Sequence, residues 1–169
     1  MDRAIENARV VRGTTAPNPW VGAVILSSDG EIFDGATEPA GGLHAERVAI
    51  DLAGSKAQGA TLFTTLEPCC HQGRTSPCVS HIIEAGVSRV VVGITDPDPQ
   101  VSGGGVRALQ DVGIEVVEGV GRKQVASQLE PYIHHRVTGN PWVVLKMALT
   151  IDGRTAAPDG SSEWITSEE

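Results

Sequence analysis

The sequence predicts an α/β fold, a three-layer α/β/α sandwich built around a mixed five-stranded sheet. Segments with helical spacing of apolar residues alternate with short apolar segments, which is the order expected of such a sandwich. The segment VVVGI at 90–94 is almost continuously apolar, as in a strand covered on both faces. The chain has 169 residues, of which 40% are hydrophobic, and this suits one domain with a core of its own.

The first half of the chain is predicted to contain a helix, a hairpin and a second helix. Apolar residues at helical spacing predict a helix over residues 2–12. A buried strand over residues 20–26 leads into SSDG at 27–30, which is typical of a hairpin turn. Apolar residues at positions i, i+3, i+4, i+7 and i+8 predict an amphipathic helix over residues 44–53, and Gly54 ends it.

The second half is predicted to alternate strands and helices. The elements are a strand over 60–66, a helix over 78–85, a strand over 90–94, a helix over 105–112, a strand over 114–117 and a helix over 122–137. The helix over 105–112 is long enough to permit parallel pairing of the strands on either side of it. The sheet is therefore expected to combine a hairpin with parallel strands.

The pattern breaks at Gly139-Asn140-Pro141, which predicts a domain over residues 1–138 followed by a different segment over 139–169. A new strand is predicted over 142–147, and a turn at Asp152-Gly153. Because so short a segment buries no core alone, it either packs on the first domain or begins another one.

Composition excludes several classes of partner and location. The formal charge is −8, no run of five basic residues occurs, and aromatic residues are only 4%, so nucleic-acid binding is not expected. No apolar run approaches the roughly 18 residues needed to cross a bilayer, and the N-terminus is not a secretory signal, so no membrane partner is expected. The predicted location is cytoplasmic, where thiols stay reduced, and the three cysteines are not expected to form a disulfide.

Two short motifs carry residues that bind metals. The sequence HAE at 44–46 begins a predicted helix, and all three cysteines lie in LEPCCHQGRTSPC at 66–78, which leads into another helix. One histidine and two cysteines, with a fourth position left for water, are what a catalytic zinc site needs. The alternatives are inert core cysteines with a solvated histidine, or a structural zinc site with four protein ligands. The joint occurrence of both motifs at helix starts favours catalytic zinc.

These motifs carry a family resemblance. HxE followed by a PC…C segment resembles the signature of zinc-dependent nucleobase deaminases, whose fold is cytidine-deaminase-like. The chain closely resembles the deaminase domain of the riboflavin-biosynthesis deaminase/reductase family in the segments PNPWVGAVI, GGLHAE, TLEPCCHQGRTSPC and TDPDPQVSGGG. The segments NPWVVLKMALTIDGRTA and SSEWITS resemble the opening of that family's reductase domain, so residues 139–169 are expected to be the start of a truncated reductase-like domain.

The resemblance implies roles for the metal-binding motifs. His44, Cys69 and Cys78 are expected to bind Zn²⁺, and Glu46 is expected to carry protons without binding the metal. Cys69 directly follows Pro68 and keeps the family spacing to Cys78. Cys70, where the family usually has a small residue, is expected to be a bystander.

The resemblance also implies a reaction and a substrate. It is the hydrolytic, zinc-dependent removal of an amino group, as ammonia, from a diaminopyrimidinone with a phosphorylated ribosylamino chain, without an organic cofactor. The residues expected to contact this phosphorylated pyrimidine are Asn18, His71, Arg74, Asp96 and Asp98, although the family usually has asparagine in place of Asp98. The family forms homo-oligomers, which are therefore also expected here.

Three alternatives stay open at this point. A deaminase of another nucleobase or nucleoside would share HAE and zinc, but it normally carries PCxxC and, when it acts on tRNA, a basic surface. A zinc module without enzymatic activity would have no need of Glu46. Reductase activity is not expected, because only the opening of that domain is present in the sequence.

Overall fold

The computed structural model describes residues 1–72 and 76–161. Its helices are α1 (Asp2–Val10), α2 (Ala45–Ala53), α3 (Cys78–Glu84), α4 (Gly104–Asp111), α5 (Arg122–Gln128) and α6 (Glu130–Thr138). Its strands are β1 (Gly22–Leu26), β2 (Ile32–Ala36), β3 (Thr61–Leu66), β4 (Arg89–Ile94) and β5 (Glu115–Glu118). A short 3₁₀ helix, Gly54–Ala57, follows α2.

The strands form one mixed sheet in the order β2-β1-β3-β4-β5. Strand β1 pairs antiparallel with β2 and β3, while the β3–β4 and β4–β5 pairs are parallel. The hairpin between β1 and β2 closes where the Gly30 N–H donates to the Ser27 carbonyl over 3.0 Å, with Gly30 at a φ of 88°. Helices α3 and α4 provide the parallel crossovers, so the predicted mixed five-stranded sheet is confirmed.

Helices cover both faces of the sheet. On one face α1 contacts β1, β2 and β3 and also α5, which contacts β4. On the other face α2 contacts β1 and β2 and also α3, which contacts α4. Glycines allow the close approach, because a Cβ on Gly22 would lie 1.9 Å from the Ala4 carbonyl oxygen, and one on Gly35 would lie 2.1 Å from that of Ala45. The predicted three-layer α/β/α sandwich is confirmed.

The predicted continuous helix over 122–137 is wrong, because the structure has two helices there. Helix α5 ends at Gln128, Leu129 has φ −93° and ψ 11°, and α6 starts at Glu130 with Pro131 in its first turn. Proline has no N–H to donate to the carbonyl four residues earlier, and its ring clashes with that carbonyl. Pro131 therefore favours the start of a new helix, whose direction brings α6 to the functional site described below.

The predicted strand over 142–147 is also wrong. Residues 140–149 form neither helix nor strand, and Val143, Val144 and Leu145 are each more than three-quarters exposed. A strand needs the backbone of a neighbouring strand, and within 1–72 and 76–161 none pairs with this segment. The turn predicted at Asp152-Gly153 is confirmed, since the Gly153 N–H donates to the Thr150 carbonyl over 2.9 Å. The division after residue 138 stays a prediction.

In the described part of the chain, no helix is both long enough and apolar enough to cross a bilayer.

Candidate metal centre and active-site pocket

The predicted metal ligands lie at the ends of three elements. His44 is the N-cap of α2, with extended backbone angles of φ −76° and ψ 156°. Cys69 lies in the segment after β3, and Cys78 is the first residue of α3. The carboxyl end of a central strand and the amino ends of two helices on one face of the sheet therefore meet at one point.

Three possible ligand atoms cluster at this point. The Nδ1 atom of His44 lies 3.6 Å from the Sγ of Cys69 and 3.3 Å from the Sγ of Cys78. All three ligand atoms lie within 4.8 Å of one another. Tetrahedral zinc with bonds of about 2.3 Å to sulfur and about 2.1 Å to nitrogen would place a sulfur and a nitrogen ligand about 3.6 Å apart. The spacing and the donor set therefore fit one zinc ion held by three protein ligands.

Local hydrogen bonds favour the thiolate form of Cys69. The backbone N–H of Cys78, at the start of α3, donates to the Sγ of Cys69 over 3.3 Å. Hydrogen bonds from the Cys78 thiol, from His44 and from this N–H lower the pKa of Cys69 below its ordinary value. Since a metal binds the thiolate and not the thiol, Cys69 is suited to be a ligand.

Glu46 is buried beside the cluster but does not belong to it. It lies in the first turn of α2, is 4% exposed, and its Oε2 lies 3.6 Å from the Sγ of Cys78. Burial raises the pKa of Glu46 to about 7. A carboxyl group with a pKa near neutrality can both accept and deliver a proton, which is what a general acid–base catalyst does.

A pocket of about 260 Å³ opens over the cluster. Its walls include His44, Glu46 and Cys69 together with four of the residues predicted to contact a substrate, Asn18, His71, Asp96 and Asp98. The structure therefore brings these residues to one cavity, while their individual roles remain predictions. Arg74, the fifth predicted contact residue, lies outside the described residues.

Asn18 is held in a tight turn at the pocket wall. Its backbone N–H donates to the carbonyl of Thr15 over 2.9 Å, and the Thr15 hydroxyl donates to the Asn18 carbonyl over 2.8 Å. Thr15 is fully buried, so this turn is anchored in the protein interior. The turn is formed by backbone atoms of Asn18. The same residue lines the pocket.

Sequence reasoning missed Glu67, which fixes the loop after β4. Its carboxylate accepts hydrogen bonds from the backbone N–H groups of Asp96 (3.0 Å), Gly103 (2.9 Å) and Val106 (3.1 Å). The side chain is 3% exposed. A buried carboxyl group is stable only when it is well hydrogen-bonded, and an acidic residue directly after an apolar strand is the signal that could have identified Glu67. Glu67 thereby joins the end of β3 to both ends of the segment that carries Asp96 and Asp98.

Sequence reasoning also missed Tyr132 and Arg136, which reach the pocket from α6. The Tyr132 hydroxyl donates to the Asp96 carboxylate, and Arg136 forms an ion pair with Asp98 at 3.3 Å. Neither residue belongs to a local motif, because each contacts an element far away in the sequence. No sequence signal could have identified them.

Comparisons with known proteins agree with this site. The family model described as "Cytidine and deoxycytidylate deaminase zinc-binding region" matches residues 1–94, and that of the RibD C-terminal domain matches residues 141–169. Riboflavin biosynthesis protein RibD of Mycobacterium tuberculosis is 50% identical over 170 residues, covering 99% of this chain and 50% of that protein. The chain thus spans about half the length of the relatives it matches.

Solved structures agree as well. Acinetobacter baumannii RibD aligns with a TM-score of 0.89 at 45% identity, covering 98% of this chain and 47% of that one. The Thermotoga maritima diaminohydroxyphosphoribosylaminopyrimidine deaminase/5-amino-6-(5-phosphoribosylamino)uracil reductase aligns with a TM-score of 0.89 at 44% identity, covering 99% and 48%. The family match covers more than half of the chain, from its first residue through β4. The chain therefore belongs to the cytidine and deoxycytidylate deaminase zinc-binding family, and it is similar to RibD over nearly all of its length.

Proposed function

We propose that this chain is a zinc-dependent deaminase that hydrolyses an amino group from a phosphorylated diaminopyrimidine. The observation that carries the proposal is the position of Glu46, a buried carboxyl group directly beside the His44, Cys69 and Cys78 cluster at the pocket. A structural zinc site has four protein ligands and no need of a proton carrier. A three-residue donor set with an adjacent acid fits hydrolysis better.

In this proposal His44, Cys69 and Cys78 hold the zinc ion. When bound in such a site, zinc lowers the pKa of water and so supplies a nucleophile at neutral pH. Two cysteine thiolates and a neutral imidazole balance the charge of the metal, which keeps the centre close to neutral inside the protein. The lowered pKa of Cys69 supports its role as a thiolate ligand, whereas the hydrogen bond with Cys69 and burial raise the pKa of Cys78, so metal binding would have to displace the Cys78 proton.

Glu46 moves the protons of the reaction. Its carboxylate accepts the proton of the attacking water and passes it to the ring nitrogen next to the carbon under attack. A second proton from the same water then goes to the exocyclic amine, which leaves as ammonia while its carbon keeps the oxygen. A carboxyl group with a pKa of about 7 suits both transfers, because neither of its protonation states is strongly disfavoured near neutral pH.

The proposed substrate is a diaminohydroxyphosphoribosylaminopyrimidine. Support comes from the similar Thermotoga maritima protein, which is named as a deaminase of that compound. The pocket is suited to a polar ligand, since its walls carry Asn18, His71, Asp96 and Asp98. For residues 139–169 we propose the start of a reductase-like domain, supported by the RibD C-terminal match over 141–169.

The test is an ammonia-release assay on purified, zinc-loaded protein. Release from the phosphorylated diaminopyrimidine, with cytidine, adenosine and tRNA as poor substrates, would support the proposal. Chelation of the zinc should abolish the activity, and added zinc should restore it. A preference for cytidine would instead indicate the alternative, a deaminase of another nucleobase or nucleoside.

A further inference from the structure

We propose that α6 positions the two acidic side chains at the pocket wall, with Tyr132 orienting Asp96 and Arg136 orienting Asp98. This inference rests on the deaminase function proposed above and adds two positioning residues to it. Both α6 residues line the same pocket as the acids that they contact.

The first contact fixes the carboxylate of Asp96. The Tyr132 hydroxyl lies 2.9 Å from Oδ1 and 3.1 Å from Oδ2 of Asp96, and the backbone N–H of Asp98 donates to Oδ1 over 2.9 Å. Asp96 is 6% exposed, and its own N–H donates to Glu67. Backbone and side chain of Asp96 are therefore both held in place. An ionised carboxylate has about four acceptor sites, so Asp96 retains capacity for donors of a ligand.

The second contact holds Asp98 at the pocket. The Nε atom of Arg136 lies 3.3 Å from Oδ2 of Asp98, whose side chain is 17% exposed. The Arg136 guanidinium also lies over the Tyr132 ring, 5.3 Å from its centroid. Residues four positions apart share a face of a helix, so Tyr132 and Arg136 form one unit with both acids.

The charge of this unit decides which ligand it suits. Asp96 and Asp98 would repel the phosphate of a substrate if both were unbalanced, and the protein as a whole carries a formal charge of −8. Arg136 balances one of the two negative charges at the pocket wall. Carboxylates accept hydrogen bonds from hydroxyl groups, so the pair is suited to a polyol such as a ribosyl chain. A free carboxylate that rotates would lose this orientation and bind the chain less tightly.

The experiment compares steady-state kinetics of zinc-loaded Tyr132→Phe and Arg136→Gln with wild-type protein on the phosphorylated diaminopyrimidine. Tyr132→Phe removes one hydrogen bond to a charged group, so KM should rise about tenfold or more, while kcat changes less than about threefold. Lys123→Gln is the matched control, because Lys123 is exposed on α5 and does not line the pocket. A purely structural role would lower the melting temperature and the active fraction but leave the KM of the active enzyme unchanged.

A double-mutant cycle tests the second pair. Arg136→Gln should raise KM in the wild-type background but have little further effect when Asp98→Asn is already present, because the partner charge is then gone. Arg136→Lys should recover part of the loss. If the wild-type protein does not turn over the substrate, the proposed function is overturned. If the wild type is active but Tyr132→Phe has an unchanged KM, only the positioning role of α6 is overturned.

Discussion

Cys69 and Cys70 are adjacent in the sequence but have different neighbours in the structure. The Sγ of Cys69 lies 3.6 Å from the Nδ1 of His44, whereas the Sγ of Cys70 lies 3.9 Å from the carbonyl oxygen of Gln100. Cys70 also approaches α4, where a Cβ on Gly104 would lie 2.9 Å from its sulfur. The Cys69 thiol therefore lies in the metal-binding cluster, whereas the Cys70 thiol lies against Gln100 and the start of α4.

This divergence predicts different effects of removing each thiol. Cys69→Ser should weaken zinc affinity by more than about 100-fold. Loss of a residue that only hydrogen-bonds to a zinc ligand already costs about 10 to 100-fold, and this variant replaces a ligand itself by a serine hydroxyl, which binds zinc poorly. Cys70→Ser, the matched control, should keep both zinc and activity. Zinc content by atomic emission, at equal folded fraction, checks both. Equal zinc loss in the two variants would show that Cys70 is a ligand.

Glu67→Gln should destabilise the protein. The variant keeps the shape of the side chain, but both carboxylate oxygens accept from backbone N–H groups and an amide has only one acceptor oxygen. At least one buried N–H group therefore loses its acceptor, at a cost of about 1 to 3 kcal/mol in the free energy of unfolding. Glu84→Gln is the control, since the Glu84 side chain is exposed and should change stability by less than about 1 kcal/mol. Urea denaturation measures both. Equal stability of the two variants would mean that Glu67 does not anchor the loop.

Asp96→Asn should change the pH dependence of stability. Burial raises the pKa of Asp96 above its ordinary value, so the folded protein binds this proton more tightly than the unfolded chain does. The carboxyl group therefore lowers stability as pH rises through its ordinary pKa, and this loss is complete once pH exceeds the raised pKa. As pH rises from acid to neutral, the melting temperature of Asp96→Asn should therefore increase relative to that of the wild type. A difference that is constant with pH would contradict the assigned direction.

Arg74→Ala tests a prediction made from the sequence alone. A charge-assisted bond from arginine to phosphate contributes roughly 1.5 to 3 kcal/mol, so its loss should raise KM for the phosphorylated substrate about 10 to 150-fold. KM for the dephosphorylated compound should change little, which makes it the internal control. If the variant still prefers the phosphorylated form as strongly as the wild type, Arg74 does not bind the phosphate.

The parts of this molecule that could be predicted from sequence are those encoded locally. Apolar spacing identified α2 to within one residue, and the continuous apolar segment identified β4 equally well. The motifs at 44–46 and 66–78 identified His44, Cys69 and Cys78, which the structure brings within 4.8 Å of one another. The first motif lies at a helix start and the second follows a strand end, which predicted a metal site there, and the family resemblance selected Cys69 rather than Cys70.

The parts that were missed depend on distant contacts. Tyr132 reaches Asp96 across 36 positions of sequence, and Glu67 reaches Val106 across 39. Nothing local distinguishes Tyr132 from an ordinary helix residue, and the position of Glu67 directly after a strand does not reveal which distant N–H groups it contacts. Pro131 was a local signal for the break between α5 and α6, but the helical spacing around it concealed that break.

In the proposed reaction Glu46 carries protons beside a metal that it does not bind. The most direct measurement is kcat for ammonia release by Glu46→Gln, made on protein whose zinc content has been determined. Glutamine has nearly the same shape as glutamate, but its amide group neither takes up nor releases a proton near neutral pH. We expect zinc content equal to that of the wild type and a kcat lower by at least about 10² to 10⁴-fold, the usual contribution of general acid–base catalysis. A variant that keeps its zinc and deaminates within about threefold of the wild-type rate would contradict the account.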